Sequence, residues 1–328
     1  MINKKHNLKI AIMVMAANAE PSTRNLDAIQ NTLVKYQNEH KDRFKHEYAF
    51  YFYWSGGENM DEEVKVSEST KYSNLKFVEV KEEESIYRTF EKSIKAFDYI
   101  NRNNEYDWYV RMNISMWLNI DLLDAVISTF KHNSMYGNAL NSYVNLNCAY
   151  CDDLYARGDL MIFDKNVMNG ILDNAMKFLY SDWNMKLRDG VDHVDDCLIG
   201  CCFIDYAGPE YYKSLYMLSY TYLPDHDVSD ELKPQKYNIG TRVKTVPPTE
   251  TYSGYSWDDN EWRKKDCDKM FKLTEYVEKN PFTYIGLKMK DVLVDKKNSR
   301  QTLFISASGQ NVFDVFHKFL EQKRKVGK

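Results

Sequence analysis

The 328-residue chain has no long hydrophobic run. Its longest unbroken apolar stretch, residues 10–17, has eight residues, against the ~18–20 that a membrane-spanning helix needs. Asn18-Ala19-Glu20-Pro21 follows that stretch and offers no small-residue cleavage pattern, so the sequence predicts a soluble, cytoplasmic protein without a transmembrane segment. Basic charge is not in excess either: 44 Lys and Arg stand against 48 Asp and Glu, a formal net charge of −4. A nucleic-acid partner, which normally demands a basic face, is therefore not expected. The only basic cluster, Lys318 followed by Lys323-Arg324-Lys325, reads as a solvated end.

Cysteine is sparse, with six in the whole chain. That is too few for a disulfide framework in a protein of this length. Cys148 and Cys151 form the one spaced pair, half of a zinc site, and no His-x-x-x-His completes it. Reduced, buried thiols are the expectation. The usual nucleotide and hydrolase signatures are also missing. No G-x-G-x-x-G follows the first strand and no G-x-x-x-x-G-K-[ST] occurs. No G-x-S-x-G elbow occurs either.

What is present is an alternation of strand and helix. Residues 8–15 read as a strand buried on both faces, as in parallel sheets. Pro21-Ser22-Thr23 then turns the chain into a helix carrying Leu26, Ile29, Leu33 and Tyr36. Strands follow at 48–54 and 75–80. Phe90, Ile94, Phe97 and Ile100 mark one helix face, residues 107–111 a further strand, and 121–131 a further helix. Residues 136–146 read as strand and turn. A strand at 159–163 leads through Asp164 into a helix with Val167, Ile171, Ala175 and Phe178. This order predicts an α/β fold with a mostly parallel central sheet. Beyond about residue 235, Pro234, Gly240, Pro247, Pro248 and Gly254 predict loops, followed by a helix over 311–323 that carries Phe313, Phe316 and Leu320.

In open sheets of this kind, ligands bind beyond the carboxyl ends of the strands. That rule selects residues 16–24, 55–59 and 111–119. The densest polar cluster in apolar surroundings is Val191-Asp-His-Val-Asp-Asp-Cys-Leu-Ile-Gly200. In extended chain, Asp195 and Asp196 would point opposite ways, so that one could face a cleft. Alternatively, one of them caps a helix beginning near Cys197. His193 alone is more often a packed or exposed residue than a ligand. Asp152 and Asp153 form a second acidic pair in what reads as a solvated turn.

These blocks resemble the β-1,3-galactosyltransferase-like group, glycosyltransferase family 31 with its bacterial and viral relatives. The group has the GT-A fold, a Rossmann-type nucleotide-sugar-binding architecture. Members carry a strand, three aspartates and an apolar segment ending in Asn, a frame occupied here by Tyr109-Val-Arg-Met-Asn-Ile-Ser-Met-Trp-Leu-Asn119. A Tyr-x-x-Gly with a strand and helix is matched by Tyr155-Ala-Arg-Gly158, residues 160–163 and Asp164. Glu-Asp-Val with a following Gly is matched by Asp195-Asp196-Cys197 and Gly200. The order and spacing agree over roughly residues 8–210, with the GT-A-like domain expected over 1–235 and a loop-rich C-terminal extension over 236–328.

The resemblance implies an inverting glycosyltransferase that moves a sugar from a nucleotide-sugar donor, a UDP-sugar by analogy, to a hydroxyl of a glycan acceptor. It makes Asp196 the general base and Asp195 a donor-positioning residue, and places the nucleotide base over Ala17 and Asn18. One departure stands out. The triplet that would hold a divalent cation, Mn or Mg, reads Asn113-Ile114-Ser115, and neutral oxygens are poor ligands for a hard dication. No metal ligand is therefore assigned. Arg111, two residues before Asn113, is expected to neutralise the diphosphate together with Asn113 and Ser115. The alternative is that Arg111 pairs with a structural carboxylate and activity is lost. Two other readings remain: a non-catalytic glycan- or nucleotide-sugar-binding relative, and a metal-dependent phosphoryl-transfer enzyme using Asp152, Asp153, Asp195 and Asp196.

Overall fold

The computed structural model describes residues 7–85, 88–138, 140–142, 154–179, 194–223, 232–245 and 260–294. The strands, in chain order, are β1 (Lys9–Met15), β2 (Glu47–Ser55), β3 (Val64–Glu68), β4 (Leu75–Val80), β5 (Trp108–Asn113), β6 (Met116–Leu118) and β7 (Met135–Gly137). They continue with β8 (Leu140–Ser142), β9 (Leu154–Ala156), β10 (Leu160–Asp164), β11 (Leu215–Met217), β12 (Tyr220–Tyr222) and β13 (Gly240–Arg242). Eight of them form one sheet in the order β11-β7-β10-β5-β1-β2-β4-β3. Its centre, β5-β1-β2-β4, is parallel throughout. β10 runs antiparallel beside β5, and β3 runs antiparallel at the opposite edge. This is the mixed α/β architecture with a mostly parallel sheet that the sequence predicts.

β1 is central because its side chains are apolar on both faces. Ile10, Ile12 and Val14 join one core layer, and Ala11 and Met13 the other. Fully burying one such large side chain contributes ~1.5–3 kcal/mol, so this strand cannot lie at an edge. The helix Thr89–Asn103 covers the second layer with Phe90, Ile94, Phe97 and Ile100, all buried. The first layer is covered by the helix Ser22–Ile29, which continues through a π-helical turn, Gln30–Val34, into Lys35–Glu39.

Three sequence expectations need correction. Asp195 and Asp196 are not in extended chain; they lie in the first turn of the helix Val194–Ala207. They therefore sit about 100° apart around a helix axis and do not point to opposite faces. Neither occupies the position before the first helical residue, so neither is a simple N-cap. The segment after residue 235 is also not all loop. The helix Asn260–Lys279 runs through it, and Cys267, Met270, Leu273 and Val277 enter the same core layer as β1 and β5. Its heavy charge hides that stripe in the sequence. Finally, six strands were not expected: β3, which is partly exposed and charged, and β6, β9, β11, β12 and β13, each three residues long.

A second, smaller sheet joins β12, β13 and β6. β13 pairs antiparallel with β6, matching Gly240 to Leu118 and Arg242 to Met116. This places residues 240–245 beside the end of β5. Cys197, Cys201, Cys202 and Cys267 are buried and form no disulfide with one another. Burial pushes the Cys202 thiol well up, which makes it a poor nucleophile. Cys148, Cys151, Asp152, Asp153, His193 and the expected helix over 311–323 lie outside the described residues.

Candidate active site at the carboxyl ends of β1 and β5

β1 ends at Met15 beside Asn113, the last residue of β5. Just beyond β1, Ala17 is half-buried and Asn18 exposed. The backbone leading to them is fixed by a buried cation: Lys92 Nζ donates to Ala16 O at 3.0 Å and to Glu84 Oε1 at 2.7 Å. The other Glu84 oxygen accepts from Ser55 N at 3.1 Å, so the ends of β1 and β2 are tied together there.

On β5, alternation puts Trp108, Val110 and Met112 in one core layer and Tyr109 in the other. Arg111 shares the Tyr109 side, 1% exposed. Its Nη2 donates to Asp195 Oδ2 in a short buried ion pair and lies 3.4 Å from Met15 Sδ. Burial by itself would lower the guanidinium pKa, but Asp195, helped by Tyr53 and Asp196, outweighs it and holds the pKa above its ordinary value. The positive charge is therefore fixed and engaged.

Asp196 lies in the same helical turn and is also buried. Its Oδ2 accepts from the Gly158 amide at 3.0 Å, and its Oδ1 from the Cys197 amide at 2.9 Å. Two of the roughly four acceptor positions of a carboxylate are thus filled by backbone donors. Gly158 is glycine for a packing reason. A Cβ there would fall 2.6 Å from Arg111 Nη1 and 3.2 Å from Asp196 Cβ.

The Asn113-Ile114-Ser115 turn is tied to the chain around it. Asn113 Oδ1 accepts from Ile114 N at 2.8 Å, and Asn113 N donates to Asp159 O at 3.1 Å. Ile114 O accepts from Asn25 Nδ2 at 3.4 Å. Ser115 is buried, and its carbonyl accepts from Val243 N at 3.0 Å. These residues do not fit a hard dication. The amide oxygen is turned back on its own chain and the hydroxyl is neutral and enclosed. Among the described residues no group of three His, Cys, Asp or Glu side chains gathers to hold a metal.

The structure thus brings Arg111, Asp195, Asp196 and Gly158 together, with Asn113 and Ser115 at the end of the same strand and Ala17 and Asn18 at the end of its neighbour. Two matched residues of the resemblance have purely structural work. Asn119 caps the helix Ile120–Val126 by accepting from Leu122 N at 3.1 Å. Asp164 Oδ1 accepts from Val167 N at 3.0 Å at the start of the helix Lys165–Leu179.

A set of residues that the sequence reading passed over adjoins Ser115. Asp159 Oδ2 meets Arg242 Nη1 at 3.0 Å and Arg157 Nη2 at 3.4 Å. Arg263 Nη1 pairs with Asp266 Oδ2 at 2.7 Å. Lys269 Nζ donates to Leu223 O at 2.7 Å and Thr245 Oγ1 at 2.9 Å. Lys244, 6% exposed, stands among these groups. Burial, with Arg242 and Arg263 nearby, pulls its pKa down to about 6 against the opposing pull of Asp159 and Asp266. The signal for this cluster was Arg242 and Lys244 alternating with apolar Val243 in a segment that read as loop.

No helix among the described residues is long and apolar enough to cross a membrane. No protein-family profile matches the chain, and no curated protein matches it by sequence. Among solved structures it is similar to the galactosyltransferase LgtC in complex with donor and acceptor sugar analogues, at 11% identity over 80% of this chain and 96% of that one, with a TM-score of 0.45. It is also similar to a glycosyltransferase involved in glycosylation of the major capsid of PBCV-1, at 10% identity over 80% of this chain and 100% of that one, TM-score 0.38. A third is the catalytic domain of Drosophila β1,4-galactosyltransferase 7 in complex with xylobiose, at 9% identity over 56% of this chain and 61% of that one, TM-score 0.28. These are loose likenesses of chain path, and any activity must be argued from this chain's own residues.

Proposed function

We propose that this chain is a glycosyltransferase of GT-A type that transfers a sugar with inversion from a nucleotide-sugar, a UDP-sugar by preference, to a hydroxyl of a glycan. The observation that carries the reading is the convergence of Asp195 and Asp196, in one buried helical turn, on Arg111 and Gly158 at the carboxyl end of β5. Ligands of open parallel sheets bind at that end. A carboxylate held by backbone amides keeps one orientation, which a general base needs if it is to take the acceptor hydroxyl's proton as the new bond forms. Such a base contributes roughly 10²–10⁴-fold. In this reading Asp196 is the base. Arg111 and Asp195 form the strut that fixes the helical turn and shape the donor pocket. Asn113 and Ser115 border the donor, and Ala17 and Asn18 lie under the nucleotide base.

Two buried, bonded carboxylates also suit a binding module without turnover, so the test separates the two. The protein is incubated with a panel of nucleotide sugars, release of nucleoside diphosphate is followed, and the anomeric configuration of any product is read by NMR. Turnover with inverted product supports the proposal. Asp196→Asn preserves shape and removes basicity, so its expected result is loss of turnover with unchanged melting temperature and donor affinity. Retained turnover in that variant sinks the base assignment, retained configuration in the product sinks inversion, and binding without turnover in the unmodified protein leaves only the module.

A further inference from the structure

Among the described residues, five basic side chains, Arg157, Arg242, Lys244, Arg263 and Lys269, gather around two carboxylates, Asp159 and Asp266. They come from three separate parts of the chain: the turn before β10, the end of β13, and the helix Asn260–Lys279. The cluster lies against the stretch where a metal-holding triplet would stand. Asn113 N bonds Asp159 O, Ser115 O bonds Val243 N, and Arg242 is the register partner of Met116. A protein ordinarily disperses like charges. Concentrating them in a low-dielectric setting costs stability and focuses the field on whatever anion enters.

We propose that Arg157, Arg242 and Lys244 form a metal-free cradle for the diphosphate group of a nucleoside diphosphate donor. The proposal rests on the glycosyltransferase reading for the identity of that anion. A departing diphosphate needs positive charge or donors at its oxygens, and two features of the cluster suit that task. Arg242 is pre-aimed: Nη1 is held by Asp159, the guanidinium lies over the Tyr222 ring at 5.4 Å, and its buried Nε has no hydrogen-bond partner among the described residues. Arg157 shares the same Asp159 oxygen at the longer distance of 3.4 Å, so one carboxylate orients two guanidinium groups. The Arg111 side chain is 1% exposed, whereas those of Arg242 and Arg157 are 13% and 22% exposed and open to an entering anion.

Lys244 gives the cradle a measurable signature. Among the described residues, the charged groups acting on it are Arg242 on β13, Arg263 and Asp266 on the helix Asn260–Lys279, and Asp159 before β10. Without ligand this balance favours the neutral amine near neutral pH. A bound diphosphate adds negative charge and favours the ammonium, so binding takes up a proton.

The experiment is calorimetry of the full chain with UDP, inorganic pyrophosphate and uridine as probes, in the presence of a chelator. At pH 8 the terminal phosphate of UDP, which titrates near ~6 like other phosphate monoesters, is already ionised and contributes no proton change. UDP is expected to bind in chelator with net proton uptake, read as a dependence of the apparent heat on buffer ionisation. Lys244→Met and Arg242→Met should each weaken UDP at least tenfold and leave any uridine binding unchanged. Lys244→Arg, permanently charged, should bind UDP without proton uptake. UDP binding that disappears in chelator and returns with manganese overturns the proposal, as do variants that bind UDP like the unmodified protein. Pyrophosphate binding sensitive to the same variants, with no nucleotide affinity, keeps the cradle and removes the glycosyltransferase reading. Absence of binding by both UDP and pyrophosphate removes the cradle itself.

Discussion

The Gly158 amide donates to the Asp196 carboxylate at 3.0 Å, joining the turn between β9 and β10 to a helix that begins 36 residues later. The contact requires a residue without a side chain. Gly158→Ala would press its methyl against Arg111 Nη1 and Asp196 Cβ. Overpacking of this kind costs about 1–3 kcal/mol. The expected outcome is a lower denaturation midpoint and a larger proportional loss of any transfer activity, because Asp196 is displaced. An unchanged midpoint in urea would show that the site yields and that Gly158 is not a fixed contact.

Removing one member of the Arg111–Asp195 pair strands a buried charge. Asp195→Asn and Arg111→Met should each destabilise by roughly 3–5 kcal/mol, the usual scale for breaking a buried ion pair. The double variant should lose much less than the sum of the two. A double-mutant cycle in urea measures this, and additive losses would mean that the two side chains do not act as a pair.

Lys244 makes a prediction about pH. Its folded pKa of about 6 lies far below that of an unfolded lysine, ~10.4. Between those values the unfolded chain carries a proton that the folded chain does not, so this residue makes stability rise with pH across that window. Below about pH 6 both states are protonated and the full penalty of the buried charge remains. Lys244→Met should therefore raise stability most at and below about pH 6, by roughly 1–3 kcal/mol, the mutational scale for relieving an unfavourable buried polar group. The advantage should shrink towards pH 10. Thermal melts of both proteins across that range test it, and a pH-independent difference would refute it.

If transfer occurs, a divalent chelator should diminish it little. The observation behind this is the Asn113 amide oxygen, bonded to Ile114 N, and the enclosed Ser115. Complete loss in chelator with recovery in manganese would refute it and require carboxylate ligands from elsewhere in the chain.

The sheet was legible in the sequence because its central strands are apolar on both faces. Residues 8–15 could be read as a doubly buried strand with no knowledge of their partners. β6 and β13 were not legible. Each is three residues long, and β6 is a strand only because β13, paired on its other side with β12, lies beside it, a pairing made across more than a hundred residues. The helix Asn260–Lys279 was hidden by its charge. Its buried positions include Arg263, Asp266 and Lys269, which a count of apolar residues assigns to the solvent side. At the site, Asp195 and Asp196 could be singled out as polar residues in an apolar run. The Arg111 partner could not be chosen from sequence, because Asp195 lies 84 residues away. The basic cluster escaped for the same reason, since its members come from three distant segments.

That scattering bears on the order in which a growing polypeptide becomes competent. By the time residue 217 has left the ribosome, every strand of the eight-stranded sheet has been made. Arg242, Lys244, Arg263 and Lys269 have not. At ~5–20 residues per second, a nascent chain passes several seconds with every strand of the main sheet made and the basic cluster still absent. Translation products that stop short of this region would lack both that cluster and the core stripe of Cys267, Met270, Leu273 and Val277, so one core layer stays incomplete until the helix Asn260–Lys279 is made.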